Sequence, residues 1–206
     1  MGHRTDPERV ADRSIVGVLA LTQSLFFASL ALCIAINHSV TASNDGISFY
    51  GVDSSTILIV IVGYASASIG LFNAAIWLHD AGAPATVVRS AAIVAGGLPL
   101  LLASPYDRGA IWNWTHMVIG IVMALAQLAA TIALVRHRGG AGAWVVFAVL
   151  LAGGLIAAAS LPDWSFPWLL PGETLYELAY GAGLFLWIAE LGGREERRER
   201  LSEASA

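Results

Sequence analysis

Residues 110–135 read AIWNWTHMVIGIVMALAQLAATIALV, 26 residues without a formal charge. About 20 mostly apolar residues carry a helix across the hydrocarbon core of a bilayer. This stretch is therefore long enough to span one, and nothing in it alternates with the two-residue period of a β-barrel strand. Five further segments qualify on either side of it: 14–36, 55–78, 86–103, 140–161 and 173–191. Three of them, 14–36, 55–78 and 140–161, are uncharged throughout. The segment 86–103 carries Arg89 near its start, where a long side chain snorkels to the headgroups, and 173–191 holds Glu177 and is the least apolar.

Composition agrees with the spans. Of the 206 residues 57% are apolar and 13% charged. Among the 26 Lys, Arg, Asp and Glu residues, 14 fall in the first 13 and last 16 positions, leaving 12 for the 177 residues between. No water-soluble surface is built from so few. The arginines also give the orientation. With the N-terminus inside, Arg4, Arg9, Arg13, Arg89, Arg136, Arg138, Arg194, Arg197, Arg198 and Arg200 lie on the cytoplasmic side and only Arg108 lies outside. The expected fold is all-α: a polytopic six-helix transmembrane bundle, N-in and C-in, with a cytoplasmic segment 1–13, a transmembrane domain 14–191 and a charged cytoplasmic tail 192–206. The first span is read as a retained helix rather than a removed signal peptide, because it is too long and lacks a small-residue cleavage site. The lysine-free, Ala-, Gly- and Arg-rich composition suggests a prokaryotic plasma membrane.

Several chemistries are excluded or disfavoured. The absence of lysine removes Schiff-base catalysis. Cys33 is the sole cysteine, so there is no intrachain disulfide and no thiolate cluster. No hydrolase elbow, zinc-protease helix or phosphate loop occurs, and no basic patch among the spans suits nucleic acid. No cofactor is expected. Haem would require His38 opposite His116, and a zinc site would draw on the same two histidines without any recognised spacing; they remain the metal-ligand candidates.

The outer side carries Asp45, Asp53, Asp107, Asp163, Glu173 and Glu177 against Arg108, a balance of −5. An acidic mouth attracts cations or cationic headgroups. Within it, His116 and Glu177 are the ionisable groups inside spans, and such groups are functional candidates by default. Polar residues fall into stripes: Thr22, Ser29, Cys33 and Asn37; Ser55, Ser66, Asn73 and Asp80; and His116, Gly120, Gln127 and Thr131, the last set within about 60° of one another at 100° per residue. Such stripes point into protein, either as interhelical contacts or as the wall of a cavity. Trp112, Trp114, Trp164 and Trp168 mark an outer aromatic belt and Trp77 the inner boundary. The 18 residues 37–54, with turn signals at Asn44-Asp45-Gly46 and Tyr50-Gly51-Val52-Asp53, form a candidate lid. A short echo relates 103–107 to 159–163.

The loop sequence Asn44-Asp45-Gly46-Ile47-Ser48-Phe49-Tyr50-Gly51, six spans, and Thr115-His116-Met117-Val118-Ile119-Gly120 at the outer start of the fourth span resemble the DRAM/FRAG/Sfk-like group of membrane proteins and its prokaryotic relatives. Glu177 departs from the Gln-Arg expected near the start of the last span in that group. The resemblance implies lipid handling or membrane organisation and supplies no catalytic residues.

Two functions are expected from this reading. One is a bundle that binds a membrane lipid, a small amphiphile or a cation, or scaffolds partners, through an acidic, Trp-rimmed outer pocket of Asp45, Ser48, Tyr50, Arg108, Trp112, His116 and Glu177. The other is a membrane enzyme of metal-dependent hydrolase type, or a cation-coupled carrier, with His116 and Glu177 as its working pair. Arg108 is expected to pair with Asp107 or Glu177.

Overall fold

The computed structural model describes residues 7–160 and 167–204. Arg4, Asp163, Trp164 and part of the 159–163 echo lie outside the described residues. The chain is all-helical among those residues: α1 (Pro7–Ile36), α2 (Val40–Asp45), α3 (Ile57–Asp80), α4 (Ala85–Ala103), α5 (Ala110–Arg138), α6 (Gly140–Ala159) and α7 (Leu169–Ala204). Two 3-10 turns, Ile47–Gly51 and Tyr106–Arg108, complete the connections α2–α3 and α4–α5. Five helices, α1, α3, α4, α5 and α6, are long and apolar enough to cross a membrane. Leu21, Leu58, Phe72, Leu125 and Leu155 stand outward and more than half exposed. Such a surface suits acyl chains, not water. The chain is thus a multi-pass helical membrane protein.

The expected last span, 173–191, lies inside α7, whose 36 residues begin four positions earlier and run on through the charged tail. Pro171 sits in its first turn, where a missing N–H costs nothing. Neighbouring long helices pack in chain order, and α7 folds back to touch α1, α2, α5 and α6. The Tyr180 hydroxyl of α7 also meets Ser90 Oγ of α4 at 3.1 Å. Ala179, Tyr180, Leu184, Trp187, Ile188 and Leu191 are all buried. Its hydropathy is the weakest of the long helices because it also runs on through the charged tail.

Small residues set the helix spacing. Gly63 of α3 faces Ser29 of α1, Gly70 faces Thr22, and Gly97 of α4 faces the Met123 side chain. A methyl at any of the three would overlap its neighbour. The first polar stripe is thereby assigned to packing: Thr22 and Ser29 sit against glycines, the Cys33 thiol lies 4.0 Å from the Thr56 carbonyl, and Asn37 donates to Asp53 at 2.7 Å. The second stripe does not face inward as a set. Asn73 and Asp80 are exposed, and Asn73 donates to Ile69 O of its own helix. The side chain that works between helices there is Ser68, two residues along. Its hydroxyl donates to the Ala95 carbonyl at 2.7 Å. Pro99 lies four residues on from Ala95 in α4 and has no N–H to offer that carbonyl. In a bilayer an orphaned carbonyl has no water to turn to. Ser68→Ala should lower unfolding free energy by about 1–3 kcal/mol, read from denaturation in mixed micelles. Retention of full stability would show that Ala95 finds another donor.

Candidate functional site

The loop between α1 and α3 is largely helical. Asn44-Asp45-Gly46 ends α2, with Gly46 at φ 72° and ψ −158°, a conformation essentially confined to glycine. The 3-10 turn that follows carries Ile47, Ser48 and Tyr50 across that end of the bundle. Thr56 Oγ1 donates to the Tyr50 carbonyl at 2.9 Å, while Asp53 accepts from the backbone and hydroxyl of Ser55 and from Asn37. These bonds to the charged form hold the Asp53 carboxyl below the usual range.

Three contacts fasten the loop. Ser48 Oγ lies 2.7 Å from His116 Nε2. The other ring nitrogen, Nδ1, is 2.8 Å from the Ser104 carbonyl just beyond the end of α4. A carbonyl only accepts, so Nδ1 carries the proton, and in the neutral ring Nε2 accepts from the Ser48 hydroxyl. The second contact is the Ile47 N–H donating to Glu173 Oε2 at 2.7 Å. The third is a hydrogen bond between Asp45 and Tyr106, whose ring also stands edge-on to His116 with centroids 5.7 Å apart. Burial raises the Asp45 carboxyl above its ordinary value, against the lowering effect of the Tyr106 bond. The Tyr106 phenol is raised too, by burial first and then by the negative charges of Asp45 and Asp107.

Beneath the loop, Glu173 and Glu177 stand one turn apart on α7. Glu177 accepts from Gln127 Nε2 of α5 through both oxygens, at 3.0 and 2.9 Å. Ion pairs among the described residues involve neither carboxylate; Arg138 and Arg194 both pair with Glu190 near the opposite end. A narrow crevice with room for about one water opens beside Ser48 and His116, walled by Val52, Tyr64, Leu101, Leu102 and Pro105. No family model, curated protein or solved structure matches the chain.

The sequence-derived site is only partly assembled. His116, Ser48 and Asp45 meet in one latch. His116 and Glu177 do not pair: the partner of Glu177 is Gln127, eleven residues from His116 along α5, about 16 Å at 1.5 Å per residue. The carboxylate that meets the loop is Glu173. Arg108 is exposed and forms no ion pair with Asp107 or Glu177. A pair facing water gains too little to draw it in. Tyr50 is fully buried, with its hydroxyl unpartnered, and so belongs to the core under the loop. Trp112 and Trp114 are 46% and 65% exposed and do not line the crevice. His38 is exposed at the end of α1, and the described residues bring no three His, Cys, Asp or Glu side chains together for a metal. Sequence reasoning passed over Tyr106, Tyr64 and the role of Glu173. For Glu173 a signal existed, since its i,i+4 spacing from Glu177 places both on one helical face.

Proposed function

We propose that this chain is a six-span bundle of a prokaryotic plasma membrane, N-in and C-in, that binds an amphiphile with a cationic headgroup beneath the loop 37–56. The observation that carries this reading is the pair of half-buried carboxylates on α7, held by the Ile47 N–H and Gln127 and forming no ion pair among the described residues. Half-buried charge of one sign without an ionic partner favours a ligand of the other. The six-span count is supported by the packing of α7 against α1, α5 and α6 and by the ten-to-one arginine bias. The resemblance to DRAM/FRAG/Sfk-like proteins points equally to lipid handling. The crevice is too small for a headgroup, so entry requires the loop to lift at its Ile47 and Asp45 contacts.

The test is ligand-induced stabilisation of purified protein in dodecyl maltoside. Dodecyltrimethylammonium should raise the thermal midpoint, and dodecanol, with the same chain and no charge, should not. Glu173→Gln with Glu177→Gln should weaken the effect at least tenfold, about 1.4 kcal/mol. Equal stabilisation of the double variant would refute the carboxylates as the binding groups.

A further inference from the structure

The latch between the loop and α5 has the parts of a nucleophile and its base. A hydroxyl within hydrogen-bond reach of an imidazole, with the imidazole fixed by a third group, is the arrangement that activates serine in acyl transfer. Here Ser48 Oγ is 2.7 Å from His116 Nε2, and the Ser104 carbonyl, 2.8 Å from Nδ1, sets the tautomer that leaves Nε2 free to accept a proton. Both side chains are half-buried and line the crevice, whose room for about one water lets solvent reach the pair with the loop in place. Its walls, Val52, Leu101 and Leu102, are apolar, so an acyl chain finds a matching surface there once the loop lifts. A backbone carbonyl as the third group orients the ring without adding a buried charge.

We propose that Ser48 and His116 hydrolyse an acyl ester of a membrane-surface amphiphile, an activity beyond the binding reading above. Ser48 Oγ attacks the ester carbonyl carbon while His116 Nε2 takes its proton. The bond to the alkoxy oxygen breaks, and the alcohol leaves with the proton from His116. Water then attacks the acyl-Ser48 carbonyl, giving up a proton to His116; the acid is released and Ser48 Oγ regains its hydrogen. Ester plus water gives acid plus alcohol, with no oxidant, metal or further reactant.

An alkyl fluorophosphonate tests the assignment on the wild-type protein in nonionic detergent. Attack by Ser48 forms the Oγ–P bond and expels fluoride, so one adduct should appear on the peptide holding Ser48 and none on Ser39, Ser43, Ser54 or Ser55. Ser48→Ala should abolish it. His116→Gln should slow labelling at least a hundredfold while Ser48 is still present. Incubation with p-nitrophenyl decanoate should release p-nitrophenol with an initial burst of one per chain and leave a decanoyl mass on Ser48. Wild-type protein that gains neither adduct at Ser48 overturns the proposal, as does labelling of His116→Gln at the wild-type rate. Neither adduct formation nor the p-nitrophenol burst depends on dodecyltrimethylammonium binding, so the two functions fail separately.

Discussion

Gly172→Val should be the most destabilising single change at the helix interfaces, costing about 3 kcal/mol or more. At Gly172 a Cβ would stand 2.5 Å from Ala157 N and 2.9 Å from both Ala157 Cα and Gly153 O. The contact is reciprocal, since a Cβ on Gly153 would stand 2.8 Å from Gly172 O and from Tyr176 N. Backbone therefore meets backbone where α6 crosses the start of α7. A flexible side chain can rotate away from an added methyl, but two hydrogen-bonded helices cannot. Overpacking that a core absorbs costs about 1–3 kcal/mol, and this site lies at or beyond the top of that range because relief requires the helices to separate. Gly96→Val is the control: nothing lies within 4 Å of a Cβ there, leaving only the small helix-propensity difference, which favours valine over glycine. Unfolding in mixed micelles with increasing dodecyl sulfate should separate the two variants clearly. Coincident curves would mean that α6 and α7 do not approach as closely as described.

That crossing shows what the sequence could and could not reveal. Apolar run length is a one-dimensional property, and 14–36, 86–103 and 140–161 fall within two residues of helical segments Ser14–Ile36, Ala85–Ala103 and Gly140–Ala159. Depth is relational. A span starting at Glu173 leaves His116 and Glu177 free to pair near its beginning, whereas the helix begins at Leu169 and Glu177 meets Gln127. The lid was legible from Asn44-Asp45-Gly46 because a glycine after a polar pair marks a chain reversal. Its fastening at His116 was legible too, since the order of the spans puts both at the same end of the bundle. The choice of Glu173 over Glu177 required knowing which turn of α7 faces the loop. Likewise Ser68 took the role expected of Ser66, because the free carbonyl created by Pro99 lies on a neighbouring helix and leaves no mark in the pattern of α3.

Gly46→Val should open the loop enough to raise the reactivity of Cys33 about a hundredfold. Cys33 is the only cysteine, fully buried beside the Thr56 carbonyl, and Thr56 is itself bonded to Tyr50 of the loop. A polar maleimide therefore reads loop opening directly. Two costs combine at Gly46. A β-branched residue at φ 72° and ψ −158° is strained by about 1–3 kcal/mol. Its Cβ would also overlap the Glu173 carboxylate and drive it from the Ile47 N–H, a charge-assisted bond worth about 1.5–3 kcal/mol. Together they reach about 3 kcal/mol, two decades in an opening equilibrium at 1.4 kcal/mol per decade. Gly82→Val is the control for a strained backbone elsewhere in the chain: Gly82 also has φ 72°, between α3 and α4, with nothing within 4 Å of its Cβ. The latch should also respond to pH. Burial raises the Asp45 carboxyl in the closed loop, so closure binds a proton more tightly than the open state does. Its contribution is complete below the ordinary carboxylate range and is lost as pH rises through the raised value. Across that window the labelling rate of wild type relative to Asp45→Asn should climb with pH, the thiol's own ionisation cancelling in the ratio. Labelling of Gly46→Val no faster than Gly82→Val would show that the loop is not what shields Cys33.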